Sequence, residues 1–353
     1  MEGKIGQQQQ SPAPETTSSP GEDQDSQKDH VMSEIHLGCP PNFSKPFISH
    51  FTFSLPPDVE YNGSKYKYQI IDGSKQKEQE VSLDDDGDLA LPRRNKHSKG
   101  KFVVAIQHNI TSSIPKVGLQ VWRAELVLSD LVLHKMFTSS EFDGIVAVEL
   151  GAGTGLVGML LARVAKTIFL TDHGVEILEN CARNVQLNSA IIPSKSSVYV
   201  RELDWKASCP PRRGSTASCE SYTWNLSELE ELKRASLLVA ADVIYSDDLT
   251  DALFNTLERL MSHSLNMVLY LALEKRYNFS LDDLDVVANG YSCFRSYVRD
   301  ENEQMELQNG SLCAFAGTRI DLTEIPQYAS NYDRGQDVEL WQIKYARERN
   351  SVI

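Results

Sequence analysis

From residue 101 onward, short apolar runs alternate with segments in which apolar residues recur every three or four positions. Short apolar runs predict buried strands, whereas the wider spacing predicts helices with one buried face. The continuous apolar run Leu237–Ala241 indicates a strand that is buried on both sides, as in a parallel sheet. Strands and helices that alternate in this way predict an α/β fold, with a doubly wound, mostly parallel sheet.

The individual elements follow from the same pattern. The predicted strands cover residues 102–107, 145–150, 167–172, 197–202, 237–242, 267–273, 312–316 and 338–343. The predicted helices cover residues 120–135, 156–165, 175–188 and 249–262. Ligands of such folds bind beyond the carboxyl ends of the parallel strands, so the residues that follow each strand become the candidates for function.

Composition divides the chain into three parts. Residues 1–30 are rich in Gln, Ser, Pro and acidic residues, which predicts a disordered tail. Residues 31–100 form a predicted N-terminal extension, in which apolar pieces such as 47–53 pair as short strands before a charged linker. Residues 101–353 form the predicted α/β domain, and a Pro-, Arg- and Ser-rich insert at 208–220 is expected to be a surface loop.

Composition also limits the possible functions. The 353 residues are 41% hydrophobic, which is enough for a core, yet no apolar run approaches the ~18 residues that span a membrane. The formal net charge is −14, which disfavours binding to nucleic acid and favours a basic protein partner. The six cysteines lack metal-site spacing, so free thiols and no metal site are expected.

A glycine-rich turn joins the predicted strand 145–150 to the helix that follows it. Glu149 precedes Gly151, Gly153 and Gly155, three glycines at alternate positions. Glycines let the backbone turn tightly and let a ligand approach, and the free N–H groups of the next helix point at that ligand. The turn therefore predicts a site for a nucleotide-like cofactor.

Two cofactor classes fit this turn. The alternate glycines after an acid resemble motif I of class I S-adenosylmethionine methyltransferases. Gly153, Gly155 and Gly158 also form a GxGxxG, and Asp172 lies 19 residues after Gly153, as in the nicotinamide dinucleotide fingerprint. The turn alone leaves both classes open.

Acidic and aromatic residues follow the next strands. Asp172 is placed to accept hydrogen bonds from ribose hydroxyls, although it also fits a helix cap. Asp204 is a candidate acceptor for the adenine amino group, and Trp205 can pack on the adenine face. Asp242 and Tyr245, three residues apart at the end of the predicted strand 237–242, suit the recognition of a nucleophile. This constellation favours S-adenosylmethionine over a nicotinamide cofactor.

Taken in order, these motifs resemble methyltransferase family 16, seven-stranded class I enzymes that mostly methylate lysines of non-histone proteins. The glycine motif alone is weakly specific, whereas the ordered set is highly specific and lies within residues 83–345. The motifs are Val121-Trp122-Arg123, Glu149-Leu-Gly-Ala-Gly-Thr-Gly155, Thr171-Asp172, Leu203-Asp204-Trp205, Ala241-Asp242-Val-Ile-Tyr245 and Glu274-Lys275-Arg276.

The resemblance implies a Rossmann-like methyltransferase domain over residues 101–353 that uses S-adenosylmethionine. Asp242 and Tyr245 match the family's Asp-x-x-Tyr and are the implied catalytic pair at the substrate lysine. Trp122 would cover the cofactor from the N-terminal side. The remaining implied cofactor-binding residues are Glu149, Gly151, Ala152, Gly153, Asp172, Asp204, Trp205 and Ala241.

Partners and alternatives complete the interpretation. We expect a protein substrate that presents a lysine, no membrane or direct nucleic-acid partner, and a monomer. The resemblance and the basic cluster at 93–101 place the protein in the nucleus, the cytoplasm or both. A methyltransferase acting on nucleic acid or a small molecule, an NAD(P) oxidoreductase and a non-catalytic interaction protein remain as alternative functions.

Overall fold

The computed structural model describes residues 30–35, 46–56, 100–207, 220–262, 264, 266–280, 285–301 and 314–346. The predicted tail before residue 30, the linker at 73–99 and the insert at 208–219 therefore lie outside the described residues. No helix in the described part of the chain is long and apolar enough to cross a membrane.

The described strands range from three to eight residues in length. They are β1 (His30–Met32), β2 (Phe47–Ser54), β3 (Lys101–His108), β4 (Thr111–Ser113), β5 (Val146–Leu150), β6 (Thr167–Asp172), β7 (Ser197–Glu202), β8 (Leu237–Ala241), β9 (Val268–Glu274), β10 (Asn278–Ser280), β11 (Asp285–Val287), β12 (Val298–Asp300), β13 (Phe315–Ile320) and β14 (Val338–Tyr345).

The described α-helices connect most of these strands. They are α1 (Arg123–Thr138), α2 (Leu156–Leu161), α3 (Val175–Leu187), α4 (Leu226–Leu232), α5 (Asp247–Met261) and α6 (Asn289–Tyr297). The first helix begins three residues later than predicted, because Trp122 has an extended backbone and acts as its N-cap. The predicted strand at 312–316 is found at Phe315–Ile320.

One eight-stranded sheet organises the domain, in the order β12-β13-β14-β9-β8-β5-β6-β7. The strands from β9 to β7 in this order are parallel, whereas β14 runs antiparallel to both of its neighbours. The predicted α/β class is confirmed. The sheet has one strand more than the seven implied, because the chain leaves α6 directly into β12, where Val298 and Asp300 are buried against β13.

Helices cover both faces of the sheet, which is why its central strands are apolar throughout. The helices α1, α2 and α3 pack on one face, for example through Leu126 and Leu160. The helices α4, α5 and α6 pack on the other, for example through Leu257 and Phe294. All five residues of β5 are buried, so the one acid among them, Glu149, is buried as well.

The N-terminal extension packs against the α/β domain by strand pairing. The strand β2 pairs with β3 in antiparallel register, and Phe51 and Phe53 bury their rings in the core. The short strand β1 pairs with β4. The strand predicted around 47–53 is therefore present as β2, whereas the strand predicted at 102–107 lies in this pair and not in the eight-stranded sheet.

Asparagine side chains of α3 occupy the free edge of β3. Asn184 accepts a hydrogen bond from the Gln107 N–H (2.7 Å) and donates one to the Gln107 carbonyl (3.1 Å). Asn188 makes the same pair of bonds with Ala105, at 3.0 and 2.7 Å. The helix therefore satisfies strand groups that another strand would otherwise pair. Asn184 also donates to the carbonyl of Thr154 in the glycine turn (3.0 Å).

Candidate active site

The glycine turn lies after β5, between the ends of β6 and β8. Gly151, Gly153 and Gly155 have φ angles of +64°, +50° and +81°, a region that side chains with a Cβ rarely adopt. Gly155 is the N-cap of α2. The carboxylate of Asp172, at the end of β6, accepts a hydrogen bond from the Gly153 N–H at 2.7 Å. This bond holds the turn and the acid together; the predicted role of Asp172 toward ribose hydroxyls stays a prediction.

The turn is packed too closely for any side chain larger than hydrogen. A Cβ on Gly151 would lie 2.7 Å from a methyl of Val243 and 3.4 Å from the indole of Trp205. A Cβ on Gly153 would lie 3.0 Å from the carbonyl oxygen of Gly118. The ends of three strands and the segment before α1 therefore meet at this turn.

Two buried carboxyl groups support the turn from below. Glu149 is 2% exposed and accepts a hydrogen bond from the Gly158 N–H (2.9 Å), so it braces α2 beneath the turn. Glu125, on α1, accepts a hydrogen bond from the Thr154 hydroxyl at 2.6 Å. Burial raises the pKa of Glu125 to about 7. Burial and the nearby Glu125 raise the pKa of Glu149 well above its usual range.

Asp172 is partly exposed, and both oxygens of its carboxylate accept backbone hydrogen bonds. The bond from the His173 N–H is 2.7 Å long, and burial raises the pKa of Asp172. The alternative role as a helix cap falls to Gly174, which is the N-cap of α3. A Cβ on Gly174 would meet nothing within 4 Å, so the chain faces open space just beyond the carboxylate.

Asp204 and Trp205 follow β7 at the same edge of the sheet. Asp204 accepts a hydrogen bond from the Lys206 N–H (2.9 Å), and both Asp204 and Trp205 are partly exposed. The Trp205 indole faces Gly151, and its buried Nε1 has no hydrogen-bond partner among the described residues. A buried donor without a partner is uncommon, and a bound ligand would account for it.

Ala152 and Ala241 complete the predicted cofactor set. Ala152 is 3% exposed, and its N–H donates to the carbonyl of Thr171 at 2.9 Å, which ties the glycine turn to β6. Ala241 is the last residue of β8 and is partly exposed.

Asp242 lies at the other end of the site, next to β9. Its φ angle is +55°, a strained conformation for a residue with a Cβ, and its N–H donates to the carbonyl of Ala272 (2.8 Å). Its carboxylate forms an ion pair with Arg276 and accepts the Glu274 N–H (3.4 Å). Ser246 is the N-cap of α5, so Asp242 is not a helix cap.

Tyr245 follows β8 and lies within electrostatic reach of both Asp172 and Asp242. Its side chain is 41% exposed at the surface of the site. Loss of water around the hydroxyl, together with the charges of Asp172 and Asp242, raises its pKa to about 12. The phenol therefore stays protonated at neutral pH. The strained turn that carries it is braced by α6, because a Cβ on Gly290 would lie 3.3 Å from the Ile244 carbonyl oxygen.

Trp122 lies at the same end of the site, just before α1. Its indole N–H donates to the carbonyl of Val117 at 3.1 Å, which fixes the orientation of the ring. The guanidinium of Arg276 stacks over that ring, 4.6 Å from its centroid. The structure therefore brings Trp122 to the ion pair of Asp242.

Three further acidic residues at the site were not among the predicted site residues. Glu34, from the N-terminal segment, accepts a hydrogen bond from the Arg123 N–H (3.0 Å). Glu274 pairs with Arg123, and burial together with the charge of Glu34 raises the pKa of Glu274. Glu125 is the third. An acid in the first turn of a helix indicates only a capping role, and no local pattern marks Glu34.

The residues at the turn fit a nucleoside-containing cofactor such as S-adenosylmethionine. The glycine backbone of the turn contacts the carboxylate of Asp172 through the Gly153 N–H, and it faces the indole of Trp205, whose Nε1 has no hydrogen-bond partner among the described residues. Glu149 does not face this surface, because its carboxyl group is directed at the backbone of α2. It supports the turn instead of lining it.

Comparison with known proteins identifies the family. The family model described as lysine methyltransferase matches residues 103–287, which include every predicted site residue. Methyltransferase-like protein 22 of Homo sapiens is 32% identical, over 82% of this chain and 77% of that protein. Its counterpart in Mus musculus is 37% identical, over 68% of this chain and 59% of that protein. Protein N-lysine methyltransferase METTL21A of Mus musculus is 30% identical, over 53% of this chain and 74% of that protein.

Proposed function

The chain belongs to the lysine methyltransferase family, and we propose that it methylates the side-chain amine of a lysine on a non-histone protein. The methyl donor is S-adenosylmethionine, whose sulfonium makes the methyl carbon electrophilic. The observation that carries this proposal is that Asp172 and Asp242 lie at the ends of β6 and β8, on either side of the glycine turn, and that the charges of both act on Tyr245. An enzyme that transfers a methyl group from a nucleoside cofactor to an amine has to bind both reactants in one site.

Different residues of the chain bind different parts of the methyl donor. In this proposal the carboxylate of Asp172 accepts hydrogen bonds from the ribose hydroxyls, and Asp204 with Trp205 holds the adenine. Gly151, Gly153 and the neighbouring alanines allow the backbone to approach the ligand closely. The buried carboxyl groups of Glu149 and Glu125 support the turn from below, through the hydrogen bonds that they accept from the Gly158 N–H and the Thr154 hydroxyl.

Asp242 and Tyr245 act on the amine. A lysine has an unperturbed pKa near 10.4, so it must lose a proton before its lone pair can attack. Removal from water in a closed site lowers that pKa. Tyr245 stays protonated, so its oxygen can accept one N–H of the amine while Asp242 accepts another. The lone pair is then directed at the methyl group, and such alignment can contribute roughly 7–11 kcal/mol to the barrier reduction.

The test measures transfer of labelled methyl from S-adenosylmethionine into an extract of cells that lack this protein. We expect a discrete labelled band that protease removes and nuclease leaves intact. Asp242→Ala should abolish the band while it changes affinity for S-adenosylhomocysteine only a few-fold. Asp248→Ala, an exposed acid in the first turn of α5, is the matched control and should retain transfer.

Several outcomes would contradict the proposal. Label that nuclease removes would indicate a nucleic-acid substrate, and label only in the small-molecule fraction would indicate a metabolite. An equal loss of transfer and of cofactor affinity in Asp242→Ala would assign that acid to the cofactor. No transfer, despite cofactor binding, would favour a non-catalytic role.

The proposal extends to the state and place of the protein. We expect a monomer in light scattering coupled to size exclusion, and a nuclear or cytoplasmic distribution in fractionated cells. The acidic net charge of −14 supports a protein substrate over a phosphate backbone. A stable dimer would contradict the expected monomer, and a membrane-bound pool would contradict the expected nuclear or cytoplasmic distribution.

A further inference from the structure

Arg276 occupies the position at which a cation is expected from the substrate. It follows β9, and its guanidinium forms an ion pair with the carboxylate of Asp242. The same guanidinium lies 4.6 Å from the ring centroid of Trp122, in the geometry of a cation–π contact. A carboxylate below a cation and an aromatic face beside it are the contacts that a protein offers to an alkylammonium group.

The ionisable groups around Arg276 include more acids than bases. Three carboxylates interact there, those of Glu34, Asp242 and Glu274, whereas two guanidiniums, those of Arg123 and Arg276, oppose them. With every group ionised, the cluster has one excess negative charge. Burial raises the pKa of both Asp242 and Glu274.

Arg276 is held less firmly than the groups around it. Its side chain is 34% exposed, whereas those of Asp242 and Glu274 are 2% and 12% exposed. Its second acidic neighbour, Glu274, lies 3.9 Å away, at the limit of an ion pair. The adjacent Lys275 points elsewhere: it pairs with Glu339 (2.7 Å) and lies over the ring of Tyr291. Of the partners in this ion pair, Arg276 is therefore the one that is more exposed to solvent.

We propose that Arg276 takes the place of the substrate ammonium in the free enzyme and competes with it for Asp242 and Trp122. This inference rests on the proposed function, because it assigns Asp242 to the amine. Arg276 then determines specificity: a lysine enters only when contacts elsewhere on its protein offset the displacement of the guanidinium. Free lysine and short alkylamines lack those contacts and are excluded.

The experiment measures binding of n-butylammonium, which reproduces the end of a lysine side chain, without turnover. Full-length protein saturated with S-adenosylhomocysteine is titrated at pH 8 and followed by ligand-observed NMR. Arg276→Met removes the guanidinium and keeps an unbranched apolar chain against Trp122. We expect it to bind n-butylammonium about tenfold tighter than the wild type, as removal of a competitor held by one ion pair and one cation–π contact implies.

Lys275→Met is the matched control, because it removes the same charge from the adjacent residue, whose partners are Glu339 and Tyr291. It should bind n-butylammonium within about twofold of the wild type, which separates competition from a general change in charge. The double variant Asp242→Asn with Arg276→Met should lose the tighter n-butylammonium binding of the single variant. Unchanged affinity for S-adenosylhomocysteine establishes that each variant is folded, and Arg276→Gln replaces Arg276→Met if that variant is not.

Equal or weaker n-butylammonium binding by folded Arg276→Met would overturn the inference and make Arg276 a brace for Asp242. Undetectable binding of n-butylammonium by both the wild type and Arg276→Met would overturn the inference as well. An equal gain in Lys275→Met would assign the effect to net charge. Failure of the proposed function would be seen in a different experiment, as absence of labelled methyl transfer by the wild type. That result does not depend on the ratio of the n-butylammonium affinities of the wild type and Arg276→Met.

Discussion

Asn184 links the N-terminal extension to the cofactor turn, and its removal should affect both stability and cofactor binding. It is fully buried on α3 and makes three hydrogen bonds: two with the backbone of Gln107 in β3 and one with the carbonyl of Thr154. Asn184→Ala leaves the Gln107 N–H and the Thr154 carbonyl without these partners. Because an intramolecular hydrogen bond contributes about 1 kcal/mol and an unpaired buried group costs about 1–3 kcal/mol, we expect a loss of roughly 2–4 kcal/mol.

The assay compares Asn184→Ala with Asn188→Ala, which provides the matched control. Asn188 bonds the same strand at Ala105 and bonds no residue of the glycine turn. Both variants should unfold earlier, by roughly 5–15 °C, since about 1 kcal/mol shifts the midpoint by about 2–4 °C at this size. Only Asn184→Ala should weaken binding of S-adenosylhomocysteine, measured by calorimetry at a temperature where both variants are folded.

Two results would refute this reasoning. Equal cofactor affinity in both variants would show that the Thr154 carbonyl needs no support from α3. An unchanged unfolding midpoint in both would show that the asparagine contacts contribute nothing net to docking of the β2–β3 pair.

Further predictions concern the turn, the buried acids and the phenol. Gly151→Ala should weaken S-adenosylhomocysteine binding about tenfold or more, because a positive φ costs about 1–2 kcal/mol and its Cβ would lie 2.7 Å from Val243. Gly144→Ala, at φ +70° with nothing within 4 Å, should lose stability but keep cofactor affinity. Glu125 has a pKa raised from 4.5 to about 7, so it binds a proton in the folded state, and the stability from that proton is lost as pH rises from about 4.5 through 7. Denaturation at pH 5 and 8 should show a decline in the free energy of unfolding that is greater in the wild type than in Glu125→Gln by roughly 2–3 kcal/mol, and an equal decline in both proteins would contradict this. Tyr245→Phe should lower the rate of methyl transfer and spare cofactor affinity, and an unchanged rate would exclude the hydroxyl from aligning the amine.

The amino-acid sequence alone determined the class of fold and most of the cofactor end of the site. Apolar runs such as Leu237–Ala241 predict buried parallel strands, because only strands covered on both faces can lack polar positions. Gly151 and Gly153 stand where positive φ angles are required, and Asp172 follows the next strand, so local chemistry and strand order suffice to bring them together.

Only the tertiary structure decided how the amine end is assembled. Glu34 and Asp242 are 208 positions apart in the sequence, and no local pattern relates a short N-terminal segment to the end of β8. The pairing of Arg276 with Asp242 depends on adjacent strands, and its stacking on Trp122 depends on where α1 begins. Sequence patterns report which face of an element is buried, whereas these contacts depend on the packing of elements that are distant in the chain. The same reason applies to Glu149. Its position near the end of a strand is visible in the sequence. The direction of its carboxyl group, toward the Gly158 N–H, depends on how α2 packs.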